Sequence, residues 1–212
     1  MKNLIIYGAG DFGRVTAWYI EEINKISPEY NILGFIDDGE IEEKTIAGYP
    51  FLGGKEYFET HKEEVYCIVS VGSPKATESI VSFLKTLDFI SFPTIIFPGS
   101  VVSSHAIIGE GSVISPNVTI DRDVKIGCHV KISQNASINH DDIIGDYSLI
   151  CPSVSLAGKV TIEKGCFVGI GSAVIPQKTI GEYAVVGAGS VVVSDIPANT
   201  TVMGVPAKPK HK

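Results

Sequence analysis

From Ile96 to Val192 every sixth residue is Val, Ile or Leu, and no insertion breaks the phase. The series runs Ile96, Val102, Ile108, Ile114 and onward through Ile150, Leu156 and Val168 to Val192, seventeen positions in succession. Chance would fill roughly five or six of those slots. Four residues after the aliphatic there usually stands a small or β-branched side chain, as at Ala106, Ser112, Val118, Val130, Ser148 and Cys166. A six-residue unit holds one short strand and a turn. Three units close a triangular coil of about eighteen residues, and each inward aliphatic packs on its equivalents one coil above and below. A β-sandwich alternates with period two and gives no reason for a period of six. About five coils are available in this span.

The residues before this span follow a different pattern. Leu4–Tyr7, Asn31–Ile36 and Val65–Val71 read as apolar strands. Arg14 to Ile26 reads as a helix, with Trp18, Ile20, Ile23 and Ile26 on one side, and Thr77 to Leu87 as another. Strand and helix alternate with short links, which predicts a small parallel sheet covered by helices. Two domains are expected, 1–92 and 93–212. The net charge of −7 disfavours a phosphate-backbone binder. No apolar run approaches the length of a membrane span, and the N-terminal run is too short for a signal peptide. Cys67, Cys128, Cys151 and Cys166 lack C-x-x-C spacing, so structural thiols in a reducing cytoplasm are expected.

Two slots break the small-residue rule, Asp142 and Lys178. Asp142 belongs to Ile138-Asn139-His140-Asp141-Asp142-Ile143, the most polar repeat, which contains a histidine. Neutral imidazole suits proton transfer near pH 7, and an adjacent carboxylate can hold its tautomer. Counting by eighteen puts Arg122 one coil below His140, Gly158 one coil above and Pro176 two above. A glycine over a histidine leaves a shelf free of side chains, with an N–H free to meet a developing oxyanion. His61, His105, His129 and His211 have no comparable context and read as surface residues. The His and Cys spacing offers no metal site.

Gly8-Ala9-Gly10-Asp11-Phe12-Gly13 is a G-x-G-x-x-G that follows a strand and opens a helix, a context for phosphate at a helix N-terminus. Asp37-Asp38 ends the second strand, where a dinucleotide fold places its ribose-binding acid. NAD fits that spacing, although about 90 residues are too few for a two-lobed dinucleotide site. A set of strand-ending turns fits it as well.

The repeats Ile126-Gly-Cys-His-Val-Lys, Ile144-Gly-Asp-Tyr-Ser-Leu and Ile180-Gly-Glu-Tyr-Ala-Val, with the closing Val186-Gly-Ala-Gly-Ser-Val and Gly204-Val-Pro-Ala-Lys, resemble the hexapeptide-repeat acyltransferases. The whole chain resembles the sugar acetyltransferases that include nucleotide-4-aminosugar N-acetyltransferases and sialic acid O-acetyltransferases. The resemblance implies an α/β, Rossmann-like N-terminal domain followed by a left-handed parallel β-helix, assembled as a homotrimer with sites between subunits. It implies acetyl-CoA as co-substrate, no metal, and a nucleotide-linked 4-amino-4,6-dideoxy sugar as acceptor. By resemblance His140 is the general base and Asp141 its acidic neighbour. The backbone near Gly158, Ile170 and Ala188 lines the acetyl-CoA groove in steps close to one coil. Gly10, Asp11, Phe12, Asp37, Asp38, Gly72 and Ser73 hold the nucleotide sugar. Some relatives carry a second histidine nine residues after the first; Leu149 stands there, so its role is not carried over. O-acetylation of sialic acid or another sugar, and a non-catalytic binding role, remain as alternatives.

Overall fold

The computed structural model describes residues 1–210. The chain divides into two compact units, Met1–Phe97 and a second that starts at Pro98.

In the first unit, β1 (Lys2–Tyr7) leads through the glycine turn into α1 (Asp11–Ile26), then β2 (Tyr30–Ile36). A small hairpin follows, β3 (Thr45–Ile46) with β4 (Tyr49–Pro50), and then the single turn α2 (Tyr57–Thr60). The unit continues with β5 (Val65–Val69), α3 (Pro74–Leu84) and β6 (Ile90–Ser91). The sheet order is β2-β1-β5-β6, parallel throughout. Parallel neighbours need crossover connections, which α1 and α3 supply. The buried face of α1 is Gly13, Thr16, Ala17 and Ile20, a helical i, i+3, i+4, i+7 set, with Tyr19 beside it. Trp18 and Ile26, expected on that face, are exposed at 43% and 74%. Trp18 lies about 100° from Ala17 around the helix, and its indole packs instead on Phe97 at 5.2 Å between ring centroids.

Two glycines explain how β1 meets α1. A Cβ on Gly13 would stand 1.8 Å from the Gly8 carbonyl oxygen, so no side chain fits where the helix crosses the turn. Gly8 has φ +118, and a Cβ there would meet the Ser70 carbonyl at 2.5 Å.

The second unit is a parallel β-solenoid of about six turns. Each repeat contributes a two-residue strand that ends on the inward aliphatic, and strands pair in parallel with the strand eighteen residues on. One face stacks Val113, Lys131, Leu149, Phe167 and Val185 in register. A second stacks Thr119, Ser137, Ser155, Ala173 and Val191. The third stacks Lys125, Ile143, Thr161 and Thr179. From Ile114 onward the inward aliphatics are buried to 3% exposure or less. Thr201–Met203 adds one further parallel strand beyond Val185–Val186.

Each corner turns through a left-handed residue. Every sixth residue from Gly111 to Gly189 has φ between +54 and +68. Many are Gly, Asn or Asp, which tolerate that region; the others cost on the order of 1–2 kcal/mol each. The backbone offsets the cost, because the N–H of the left-handed residue donates to a carbonyl of the coil below: His129 to Glu110, Asp141 to Arg122, Lys159 to His140. His129, expected at the surface, is 1% exposed. Its ring stacks on Tyr147 at 5.7 Å, over Gly111, where a Cβ would lie 2.1 Å from the imidazole. His61 and His105 are exposed, and His211 lies outside the described residues.

A buried repeat aliphatic has partners on both neighbouring coils and little room to collapse. Ile150→Ala is expected to lower solenoid stability by about 2–5 kcal/mol, read from a chemical denaturation midpoint.

Candidate active site

His140 and Asp141 occupy one corner of the solenoid. Asp141 is the left-handed residue of its turn, with φ +62. That conformation brings its carboxylate beside the preceding side chain, and Asp141 Oδ2 lies 2.9 Å from His140 Nδ1. Both side chains are about half exposed. His140 lowers the Asp141 pKa below the ordinary carboxylate value, mainly through this hydrogen bond. With Nδ1–H donating to the carboxylate, Nε2 carries the lone pair.

Coil arithmetic holds at this corner. The His140 carbonyl accepts from Lys159 N–H at 3.0 Å, and the Gly158 carbonyl accepts from Gln177 N–H at 3.2 Å. A Cβ placed on Gly158 would lie 2.9 Å from His140 Nε2 and 3.0 Å from Cε1. The glycine therefore faces the reactive edge of the imidazole. The shelf is not an open one, since Gly158 is itself buried. Among the described residues its N–H has no acceptor within hydrogen-bonding distance.

Ile170 and Ala188 are exposed and one coil apart, linked by a 2.8 Å bond from Gly189 N–H to the Ile170 carbonyl. They stand on a different corner from Gly158. The spacing expected for all three thus holds for Ile170 and Ala188 only, because Gly158 lies two faces earlier along the chain. Leu149 is buried on an outer sheet face.

In the N-terminal unit the expected residues cluster at the C-terminal ends of parallel strands, the edge where such sheets bind ligands. They separate there into two groups. Asp37 and Asp38 line a cleft of about 900 Å3 with Gly39–Glu43, Phe51 and Gly53–Glu56. Gly10, Asp11, Phe12, Gly72 and Ser73 do not line it. Both cleft aspartates also act as internal latches. Asp37 accepts from Ala9 N–H and Gly39 N–H, each at 2.8 Å. Asp38 accepts from Tyr7 Oη–H at 2.7 Å and Lys55 N–H at 2.9 Å. Burial, and then the Asp38 bond, raise the Tyr7 pKa.

Gly10 is the N-cap of α1, has no side-chain cap, and leaves open space where a Cβ would stand. Gly72 is equally open. Ser73 is committed as the N-cap of α3, accepting from Ala76 N–H at 3.3 Å. Asp11 pairs with Arg14 one turn on. Sequence reasoning passed over the 51–56 wall of the cleft; Gly53-Gly54 was the available turn signal.

All four cysteines are free thiols. Among the described residues no cluster of three His, Cys, Asp or Glu side chains could hold a metal ion, and no helix is long and apolar enough to cross a membrane.

Comparison with known proteins covers both units. Residues 3–84 match the family described as the PglD N-terminal domain. The GDP-perosamine N-acetyltransferase of Escherichia coli O157:H7 is 31% identical over 210 residues, spanning 96% of this chain and 94% of its own. Among solved structures, the acetyltransferase domain of PglB from Neisseria gonorrhoeae is 28% identical, with a TM-score of 0.89 over 99% of this chain and 100% of its own. It has also been solved with acetyl coenzyme A. PerB from Caulobacter crescentus, solved with CoA and GDP-perosamine, is 28% identical, with a TM-score of 0.86 over 100% of this chain and 98% of its own.

A side chain at Gly158 would meet the imidazole and would also occupy φ +87. Gly158→Ala is expected to cost about 1–3 kcal/mol in stability, by denaturant titration, and to displace the His140 ring in a crystal structure.

Proposed function

This chain belongs to the hexapeptide-repeat acetyltransferase family, and we propose that it moves an acetyl group from acetyl-CoA to the 4-amine of a nucleotide-linked 4-amino-4,6-dideoxy sugar. The observation that carries the mechanism is the corner where His140 lies between Asp141 and Gly158. The neutral amine attacks the thioester carbonyl carbon. His140 Nε2 takes the proton that the amine sheds. Asp141, held by the Nδ1–H bond, fixes the tautomer and stabilises the imidazolium. The Gly158 N–H donates to the oxyanion as the carbonyl oxygen gains charge. Collapse of the tetrahedral intermediate breaks the C–S bond, and the imidazolium returns the proton to the departing CoA sulfur.

The acceptor reading draws on the relatives whose names state GDP-perosamine. Physical chemistry divides the nucleotide between the two groups at the sheet edge. The cleft presents Asp37, Asp38, Glu40, Glu42, Glu43 and Glu56 against Lys55. Such a lining repels a diphosphate but accepts hydrogen bonds from ribose hydroxyls or base amines. The phosphates suit the uncapped start of α1 at Gly10, where backbone N–H groups and the helix dipole favour an anion.

Gly158 and the Ile170–Ala188 pair stand on two corners, so one extended acetyl-CoA meets all three where the Gly158 corner of one copy faces the other corner of a second. This supports a homotrimer with sites between subunits, acting in the cytoplasm where free thiols persist. The products would enter surface glycan or polysaccharide assembly.

Acetyl-CoA consumption should be measured across UDP-, GDP- and dTDP-linked amino sugars. His140→Ala is expected to lower turnover with the best acceptor by about 100- to 10,000-fold. Unchanged turnover in that variant refutes the mechanism. Light scattering should return a mass near three times 22.6 kDa; a monomer that turns over at full rate rules out the shared site.

A further inference from the structure

Asp142 is the part of the polar repeat that the mechanism leaves unused. It occupies the slot four residues after the inward aliphatic, and its side chain is fully buried. Serines fill the same slot elsewhere and show what the solenoid needs there. Ser112 accepts from Val130 N–H on the next coil, and Ser148 from Cys166 N–H, each at 3.1 Å. Both donate their hydroxyl to a carbonyl at 3.0 Å, Gly127 for Ser112 and Glu163 for Ser148.

Asp142 makes the equivalent coil-to-coil link, Oδ1 accepting from Val160 N–H at 2.8 Å. Its second oxygen takes a bond that those serines do not make. Oδ2 accepts from Asn139 N–H at 2.8 Å, immediately before His140. Asn139 is held further by its side-chain amide, which donates to the Leu156 carbonyl. One buried carboxylate therefore grips the chain just before His140 and, one coil up, just after Gly158 and Lys159.

We propose that Asp142 is a positioning residue: its carboxylate ties the turn carrying His140 to the turn carrying Gly158, and so sets how Nε2 stands against the Gly158 N–H. This rests on the acetyl-transfer reading of the corner. The two oxygens each accept from a separate N–H, and the ionised form makes both links as a charged acceptor, the stronger kind. An amide turns a donor toward one of the two N–H groups.

Stability alone does not account for a carboxylate in this slot. Burial pushes the Asp142 carboxyl up to about 6, against the two N–H groups and His140, which favour the anion; Asp141 opposes it. Lys159, from the coil above, acts on Asp141. The folded chain thus holds this proton more tightly than the unfolded chain. The group's contribution to stability is complete below the unfolded value near 3.8 and is lost as pH rises through about 6. At neutral pH the anion is a cost to the fold that a serine would avoid, and it is borne on the coil that carries His140.

The test is Asp142→Ser in the full chain, which keeps the link to Val160 and drops the one to Asn139. At pH 8 the melting temperature is expected to hold or rise. The kcat with acetyl-CoA and the best amino sugar should fall about 10- to 100-fold. The KM for acetyl-CoA should stay within about 2-fold, because ground-state binding is untouched. The His140 resonance, followed with isotopically labelled histidine and assigned through His140→Ala, should move. Asp142→Asn, closer in shape, should also lower kcat and move the His140 resonance, with some loss of melting temperature because its amide nitrogen faces a buried N–H. Wild-type kcat with an unmoved His140 resonance in Asp142→Ser overturns the proposal. So does a loss of kcat that only follows a falling melting temperature in both variants. If the unaltered protein consumes no acetyl-CoA with any amino sugar, the acetyl-transfer reading fails by itself, and the His140 resonance alone decides whether Asp142 positions the ring.

Discussion

Stacking one eighteen-residue coil on the next is the interaction on which the rest of the solenoid depends. The inward aliphatics exclude water from the core, but apolar packing alone would tolerate a slip along the axis. The register is held by backbone bonds between coils, including the N–H of each left-handed corner residue from His129 to Gly189, which donates to the coil below. With that register fixed, any residue's neighbours above and below follow from counting. A corner becomes a column of side chains whose separation is set by strand spacing rather than by loop conformation. A proton acceptor and an N–H donor can then sit one above the other on rigid backbone, which suits a site that must hold both within hydrogen-bonding reach of one carbonyl.

The N-terminal unit solves a different problem with the same economy of backbone. The edge proposed to bind the acceptor is made by turns at the ends of parallel strands, and the acids there work partly for the fold. Asp37 secures the glycine turn through Ala9, and Asp38 joins the end of β1 to the wall at Lys55. Each lines the cleft while two donors hold its orientation. Removing either carboxylate would loosen the pocket as well as subtract the proposed ligand contact, so an effect on acceptor affinity alone would not separate the two roles.

The fold was legible where periodicity is a direct image of geometry. A period of six carried the coil, the inward face and the stacking of Gly158 on His140, because each depends only on residue count. Burial of His129 was not legible, since it depends on a neighbour eighteen residues away being Gly111 and on the ring of Tyr147 above it. The same reason hid the outward turn of Trp18: hydrophobic periodicity does not distinguish a helix face that meets the sheet from one that meets Phe97. In the glycine fingerprint, Gly8 and Gly13 proved to serve packing and Gly10 to leave space, a division that spacing alone cannot make.

Asp142 shows how an exception to a repeat can be read. A repeat defines, slot by slot, what the fold requires, so a residue that departs from it can be compared with its own equivalents in the same chain. Serine meets the structural need of this slot by accepting from one N–H on the next coil and donating to a carbonyl. Aspartate meets it by accepting two N–H groups and donating to none, which reverses the polarity of one contact and redirects it toward the residue before His140. A burial cost at neutral pH stands beside that change. Where a cheaper residue is in use at equivalent positions, the added contact is the part that calls for a functional account, and here it ends one residue from the imidazole.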